Sequence, residues 1–184
     1  VYEPETAWSY ELGLKTELMD NRIRLNFAAF YTDFKDLQVE LLDDVNLVLV
    51  VANAADAVIK GIEVEFEAAI HETTTLFASG SYVDAEYKDY IDPLRGIDYS
   101  GNQIQRAPKE QFNIGFDVRA PLSGGGLEFL TNWSYSYQSK MFFGPDESNF
   151  EPSYGTLDAR IGIGSADGKW SVVIWGRNLT DELY

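Results

Sequence analysis

Three glutamates at alternate positions are the first residues in this sequence that could carry chemistry. Glu63, Glu65 and Glu67 share one face of any β-strand that contains them, because successive side chains of a strand point to opposite faces. Such a row of carboxylates could chelate a cation or act as acid and base, or it could line a hydrated surface and pair with cations across the sheet. We interpret it as the lining of a wet sheet face, shared with Arg119 and Arg160, and we predict no metal site and no catalytic residue.

Aromatic and basic side chains between the strands form a second candidate set. Aromatic rings and cationic groups together suit an anionic, aromatic ligand, which they would bind by stacking and charge pairing. The alternative is an aromatic girdle at a membrane interface combined with packing inside the loops. The predicted contact residues are Tyr87, Lys88, Tyr90, Arg95, Tyr99, Arg106, Phe142 and Phe143.

Composition excludes several classes of function. The formal net charge of −16 over 184 residues argues against a nucleic-acid partner, which would require a basic surface. Without cysteine, the chain forms no disulfide, thiol nucleophile or thiolate metal site, and its one histidine, His71, stands in a predicted turn. We therefore predict a protein that is not an enzyme and that has no cofactor.

Apolar and polar residues alternate in long runs. One such run begins at Leu127. In it, the apolar residues Phe129, Trp133 and Tyr135 alternate with polar neighbours, which is typical of a strand with one apolar and one polar face. Strands of ten or more residues with this pattern favour a membrane-spanning barrel. The predicted strands cover residues 8–18, 22–41, 58–70, 75–87, 103–119, 127–142, 155–164 and 169–178.

Short and long connections alternate between these strands. Residues 19–21, 71–74, 120–126 and 165–168 contain the polar and glycine residues of tight turns, whereas 42–57, 88–102 and 143–154 are longer. All short turns then lie at one end of the sheet and all long loops at the other. Outer-membrane barrels have this organisation, with short periplasmic turns and long extracellular loops. In the first long connection, residues 37–42 and 45–51 are predicted to form a projecting hairpin around Asp43 and Asp44.

Four segments carry a resemblance to one family. Residues 176–184 resemble the Asn-Leu-x-Asp-x-x-Tyr block that precedes the last strand of TonB-dependent outer-membrane receptors. Residues 26–39, 53–65 and 106–109 match the same family's barrel in order and spacing, so that the resemblance spans nearly the whole chain.

The resemblance implies an all-β antiparallel meander of about eight long strands within a 22-strand transmembrane barrel. Residues 1–184 would be its carboxyl-terminal segment, without the amino-terminal plug domain and without the final strand. The glutamates and arginines named above would line the lumen, and the loop residues would meet a small ligand, an iron chelate. The implied partners are the lipid of the bacterial outer membrane and, through the plug, the energy-coupling protein TonB.

Two alternatives remain at the level of the sequence. Eight strands could close on themselves as a small barrel with a structural or adhesive role. An outer-membrane hydrolase would require a nucleophile beside a base, for which His71 is the only imidazole.

Overall fold

A computed structural model of the protein describes residues 2–43 and 45–184. It is all-β. Within this part of the chain no helix is long and apolar enough to cross a membrane. The strands are β1 (Thr6–Leu18), β2 (Ile23–Asp43), β3 (Val48–His71), β4 (Thr74–Tyr90), β5 (Glu110–Pro121), β6 (Leu127–Gln138), β7 (Met141–Phe142), β8 (Phe150–Glu151), β9 (Tyr154–Ser165) and β10 (Ser171–Gly176).

Eight of these strands form one antiparallel meander. Its order is β1-β2-β3-β4-β5-β6-β9-β10, and the short β7–β8 hairpin stands apart in the connection between β6 and β9. Among the described residues, β1 pairs only with β2 and β10 only with β9, so that these two strands are opposite edges of the sheet. The closed eight-stranded barrel is therefore contradicted, because closure needs β1 hydrogen-bonded to β10.

Register divides the sheet into two chemically different faces. On what we call the apolar face, Phe116 stands between Leu76 of β4 and Trp133 of β6. On the opposite, polar face, Asn113 stands between Ser79 and Ser136. Because the pairing is continuous across the meander, the alternation read from each strand extends over the whole sheet.

The predicted strands are confirmed in number and order, but three boundaries were wrong. Residues 52–57, expected as loop, are strand, since the β2–β3 ladder continues through a bulge near Asp36, whose φ is 55°, and β3 begins at Val48. The projecting hairpin predicted from residues 37–42 and 45–51 is present, with Asp43 paired to Val48, while Asp44 lies outside the described residues. Residues 103–109 are loop rather than strand, because Arg106 has a φ of 59° and Pro108 lacks a donor for the ladder. The predicted strand 127–142 stops at Gln138 and resumes as β7.

Gly115 provides a test of the close packing on the polar face. A Cβ at this position would lie 2.5 Å from Cζ of Phe77, and it would also collide with the carbonyl oxygen of Trp133. We expect Gly115→Ala to lower the free energy of unfolding by about 1–3 kcal/mol, the usual cost of overpacking. Urea titrations of wild type and variant measure this change in the free energy of unfolding. Gly126→Ala is the matched control, because its added methyl has no atom within 4 Å, and equal losses in the two variants would contradict the packing.

Candidate functional site

The polar face carries a broad groove across β3, β4, β5, β6 and β9. Its volume is about 540 Å³. Side-chain hydrogen bonds tie neighbouring strands together, from Asn113 Nδ2 to Ser136 Oγ at 2.8 Å and from Gln111 Nε2 to Gln138 Oε1 at 3.2 Å. The polar side chains that line the groove include Glu63, Glu65, Ser79, Ser81, Gln111, Asn113, Ser136, Gln138 and Thr156. Hydroxyls and amides can both donate and accept hydrogen bonds, so this surface suits a hydrated polar solute or a polar protein surface.

The structure brings the predicted lining residues onto this one face. Glu67 lies 3.7 Å from the guanidinium of Arg24, both more than half exposed, and Glu65 accepts a hydrogen bond of 3.0 Å from Asn26 Nδ2. Exposed pairs of this kind contribute about 0–1 kcal/mol. They fix side-chain positions without burying charge.

The remaining lining residues are less constrained. Arg119 pairs with Glu128 at 3.1 Å. Glu63 and Arg160 are exposed and form no ion pair with any described residue. Residues 2–43 and 45–184 contain no cluster of three His, Cys, Asp or Glu side chains that could hold a metal ion. That these residues line a lumen stays a prediction.

Above the groove, three tyrosines form a buried cluster beneath the long loops. Tyr87, Tyr90 and Tyr99 are 4%, 3% and 9% exposed, and the ring of Tyr90 lies 4.9 Å from that of Tyr87 and 5.2 Å from that of Tyr99. Leu41 and Ala55 from the β2–β3 hairpin pack against them. The cluster gives the loops a rigid base, as the packing alternative from the sequence describes. Ligand contact by these three rings stays a prediction.

Asp92 organises the loop that covers this cluster. It is 1% exposed, and its Oδ1 accepts hydrogen bonds from the backbone nitrogens of Leu94 at 2.8 Å and Arg95 at 3.1 Å. The Arg95 guanidinium lies 3.4 Å from Asp92 Oδ2 and donates to the carbonyl of Leu42. Arg95 is thereby held against both the loop and the β2–β3 hairpin. Asp92 was not among the residues predicted from the sequence, although Pro93 and Gly96 after it are turn signals.

The loops before β5 and after β6 are joined by hydrogen bonds. Each bond is 2.8 Å long: Asn102 Nδ2 to the Pro145 carbonyl, Gln103 N to Glu147 Oε1, and Arg106 N to the Phe142 carbonyl. The two loops thus form a single surface at the mouth of the groove.

Cations and aromatic rings meet on that surface. Phe142 is buried, whereas Phe143 and Phe150 are exposed. The ammonium of Lys140 lies 4.4 Å from the centroid of Phe142 and 5.5 Å from that of Phe150, which is cation–π geometry. Lys140 was not among the predicted contact residues, although its position two residues before Phe142 could have indicated this contact.

The predicted contact residues therefore fall into separate groups. Arg95, Arg106 and Phe143 are exposed at the loop surface, and Phe142 supports it from below. Lys88 is exposed too, but it occupies the same face of β4 as Asp84 and Glu86, at alternate positions of the strand. It therefore lies on the continuation of the apolar face, away from the other contact residues.

The segment after β10 folds back onto β9. The backbone nitrogen of Asn178 donates to Asp158 Oδ1 at 2.8 Å, and the nitrogen of Leu179 donates to the carbonyl of Leu157 at 2.7 Å. Asn178 has a φ of 48°, a conformation that asparagine tolerates better than most residues. Its side chain also accepts a hydrogen bond of 3.0 Å from Glu182 N. The Asn-Leu pair of the sequence block thus ends the strand and anchors the chain to its neighbour.

A family model described as "TonB dependent receptor-like, beta-barrel" matches residues 2–179. The chain belongs to this family. It is 24% identical over 165 residues to the probable TonB-dependent siderophore receptor PiuA of Acinetobacter baumannii, and 25% identical over 166 residues to the metal-pseudopaline receptor CntO of Pseudomonas aeruginosa. Either alignment covers 85% of this chain and 21% of the relative, so the chain spans about a fifth of the length of these proteins.

Solved TonB-dependent receptors have the same fold. The ferric yersiniabactin uptake receptor FyuA of Yersinia pestis superimposes with a TM-score of 0.77 at 21% identity, over 97% of this chain and 25% of that receptor. The siderophore receptor PiuA of Acinetobacter baumannii gives 0.74 at 21% identity, over 96% and 24%. TonB-dependent receptors are β-barrels of the Gram-negative outer membrane, which confirms the expected localisation; the 22-strand architecture is consistent with the family.

Lipid exposure of the apolar face is testable at Phe116. This residue lies five positions from the end of β5, which is near the middle of an apolar band about 25 Å tall. Phe116→Arg should cost about 2–4 kcal/mol when the receptor folds into a bilayer. Asn113→Arg on the polar face is the control and should cost far less. Equal losses would place both faces in water.

Burial of the tyrosine cluster has a spectroscopic consequence. Removal from water, with Tyr87 and Asp92 nearby, raises the pKa of Tyr90 to about 12 from its usual 10.0. The neutral phenol then stabilises the loop fully below about pH 10, and this contribution is lost as the pH rises through 12. The difference in tyrosinate absorbance between wild type and Tyr90→Phe should have a midpoint near pH 12. Tyr2→Phe, which removes an exposed ring, is the control; a Tyr90 midpoint near 10 would show a solvated ring.

Proposed function

We propose that the chain forms part of the barrel wall of an outer-membrane receptor that imports a scarce nutrient, a ferric siderophore, with energy from TonB. The chain would supply the carboxyl-terminal part of the barrel, and a plug domain elsewhere in the protein would receive the energy. The observation that carries the proposal is the polar groove on one face of the sheet, with the joined loops at its mouth, in a chain that belongs to this family.

The loop surface has the chemistry to capture an anionic chelate. A siderophore surrounds its iron with its own ligands, so that a receptor recognises the outer surface of the complex. Arg95 and Arg106 would supply charge-assisted hydrogen bonds to carboxylate or phenolate oxygens. Phe143 and Phe150 would supply stacking faces. The tyrosine cluster supports the loop that carries Arg95, and backbone hydrogen bonds hold Arg106 to Phe142 and Phe143 to Asn149. This order limits the entropy lost on binding.

Below the loops, the groove would provide the passage. Its hydroxyls and amides exchange hydrogen bonds with a polar solute at little net cost, because each can donate and accept. Exposed charges such as Glu63 and Arg160 would keep the passage hydrated. A hydrated surface that binds the solute weakly suits a transporter, since tight binding along the passage would slow release of the solute.

The two other functions have less support. A closed small barrel requires a β1–β10 pair, and the sheet order places these strands at opposite edges. Nδ1 of His71, the base that a hydrolase would require, lies 2.9 Å from Thr73 Oγ1 and accepts a hydrogen bond from Thr73 N in an exposed turn. This contact closes the turn.

Uptake of radiolabelled ferric siderophores by whole cells tests the proposal. Deletion of the gene that encodes the full protein should abolish high-affinity uptake of one siderophore, and deletion of TonB should abolish it equally. Uptake that persists without TonB, or a deletion strain that transports every siderophore normally, would refute the proposal.

The loop residues are tested in the same assay. Arg106→Ala and Phe143→Ala each remove an exposed group from the loop surface, and we expect each to weaken apparent siderophore affinity by about fivefold to hundredfold, or 1–3 kcal/mol. Lys169→Gln, in a short turn at the opposite end of the strands, should leave uptake unchanged. Wild-type affinity in both loop variants would move the ligand site to other loops of the receptor.

A further inference from the structure

The β2–β3 hairpin beyond the bulge at Asp36 has two faces, and only the inner one is packed against the rest of the sheet. On this inner hairpin face Val39 pairs with Ala52 and Leu41 pairs with Val50, and these side chains lie against the tyrosine cluster. The alternate pairs point the opposite way. We call these pairs the outer hairpin face: Gln38 with Asn53, Glu40 with Val51, and Leu42 with Leu49.

The upper end of the outer hairpin face carries three exposed aliphatic side chains. Leu42, Leu49 and Val51 are 43%, 69% and 39% exposed. They are neighbours, because Leu42 pairs with Leu49 and Val51 stands two residues farther along the same strand. Contiguous exposed apolar surface is typical of an interaction site, and a two-stranded hairpin needs packing to be stable in water.

Lipid is too far away to cover these side chains. Leu49 stands twenty-two residues before His71, where β3 ends at a short turn. At about 3.3 Å per residue and a tilt of about 40°, this distance is roughly 55 Å along the membrane normal, about twice the 25 Å height of the apolar band. The cover must therefore be a protein segment or a molecule from outside the membrane.

The residues before β1 lie on the lower end of the same face. Asn53 holds the backbone of Glu3 at two points: its Oδ1 accepts a hydrogen bond of 2.6 Å from Glu3 N, and its Nδ2 donates one of 2.8 Å to the Glu3 carbonyl. Gln38 Nε2 donates to the same carbonyl at 3.1 Å. Because Gln38 and Asn53 are partners on different strands, Glu3 lies across the outer hairpin face and not beside the edge of β2.

These contacts set the course of the chain before β1. Thr6 pairs with Lys35 at the upper end of the β1–β2 ladder, and Glu3 lies higher, at the level of Gln38. From that level to the Leu42–Leu49 pair is about 13 Å, which about four extended residues span. The chain covers 21% of the length of the relatives PiuA and CntO, so that most of the polypeptide of such a receptor lies outside it.

We propose that the residues preceding Tyr2 in the full receptor continue up the outer hairpin face and cover Leu42, Leu49 and Val51 with apolar side chains. We call this segment the strap. The hairpin is then held on both faces, by the tyrosine cluster on the inner face and by the strap on the outer face. The proposal rests on the chain being part of a longer receptor, as proposed above, and not on the nutrient that the receptor imports.

Thiol labelling of the full receptor in intact cells tests the strap. Residues 1–184 contain no cysteine, so Leu49→Cys and Val45→Cys each add one thiol here, and the unmodified receptor is the blank. Val45, at the hairpin tip, is 89% exposed. We expect a polar maleimide to label Leu49→Cys at least about tenfold more slowly than Val45→Cys, because the strap must open first. Adding Gln38→Ala/Asn53→Ala removes the hydrogen bonds to Glu3 and should speed labelling of Leu49→Cys about tenfold.

Two controls separate release of the strap from loosening of the hairpin. Gln111→Ala/Asn113→Ala removes the same side-chain types from the polar face of β5 and should leave the labelling rate of Leu49→Cys unchanged. Val50→Cys, on the inner hairpin face, should label slowly with and without Gln38→Ala/Asn53→Ala. All variants should keep the heat-dependent gel mobility of folded barrels. If Leu49→Cys misfolds, Leu42→Cys, from the same pair, replaces it.

Four results would overturn the proposal. Labelling of Leu49→Cys as fast as that of Val45→Cys would show a bare face. Slow labelling that Gln38→Ala/Asn53→Ala does not change would assign the cover to another loop. A rise at Val50→Cys together with Leu49→Cys would show that the whole hairpin opens. Slow labelling that is lost when the purified receptor is diluted would assign the cover to a second copy. Because labelling needs no siderophore, its result is independent of the uptake experiment.

Discussion

Backbone hydrogen bonding is the constraint on which the rest of this structure depends. In the hydrocarbon region no water is available for an unpaired N–H or C=O group, and each one costs several kcal/mol. The eight-stranded ladder satisfies these groups strand by strand, and the register that it imposes decides which side chains share a face. Departures from regular pairing lie on either side of a regular stretch: around Asp36 and between Asp56 and Ala57, well inside β2 and β3 on the side of the long loops, and between Ala69 and His71 at a short turn. Between these departures, β2, β3 and β4 pair without interruption.

The same register explains aromatic residues on the polar face. Phe30 lies across Gly61, and Phe77 lies across Gly115, where a Cβ would collide with the ring. An aromatic ring over a glycine covers exposed backbone and pins the pairing of neighbouring strands. These two pairs therefore stabilise the sheet from its polar face, which explains why apolar rings occur there against the alternation.

The sequence predicted what depends on period two and missed what depends on contacts between distant segments. The face shared by Glu63, Glu65 and Glu67 follows from their spacing alone, and so does the number of long strands. The burial of Tyr90 does not, because it arises when a loop folds onto Leu41 and Ala55, which are far away in the chain. Residues 52–57, which join the predicted hairpin to the strand predicted from Val58, were expected as loop for a related reason: strand pairing above the membrane need not alternate between lipid and water. Lys88 was grouped with the loop residues nearest in sequence, whereas its position on β4 places it on the opposite face of the sheet.

The hydrogen bonds between the loops before β5 and after β6 have a mechanical consequence. Asn102 and Gln103 hold residues of the second loop, and Arg106 holds the backbone of Phe142. Neither loop can swing over the mouth of the barrel without breaking these bonds or carrying its partner with it. If these loops open and close, they therefore move together as one unit. Recombination that exchanged one loop between related receptors would need to exchange the other as well.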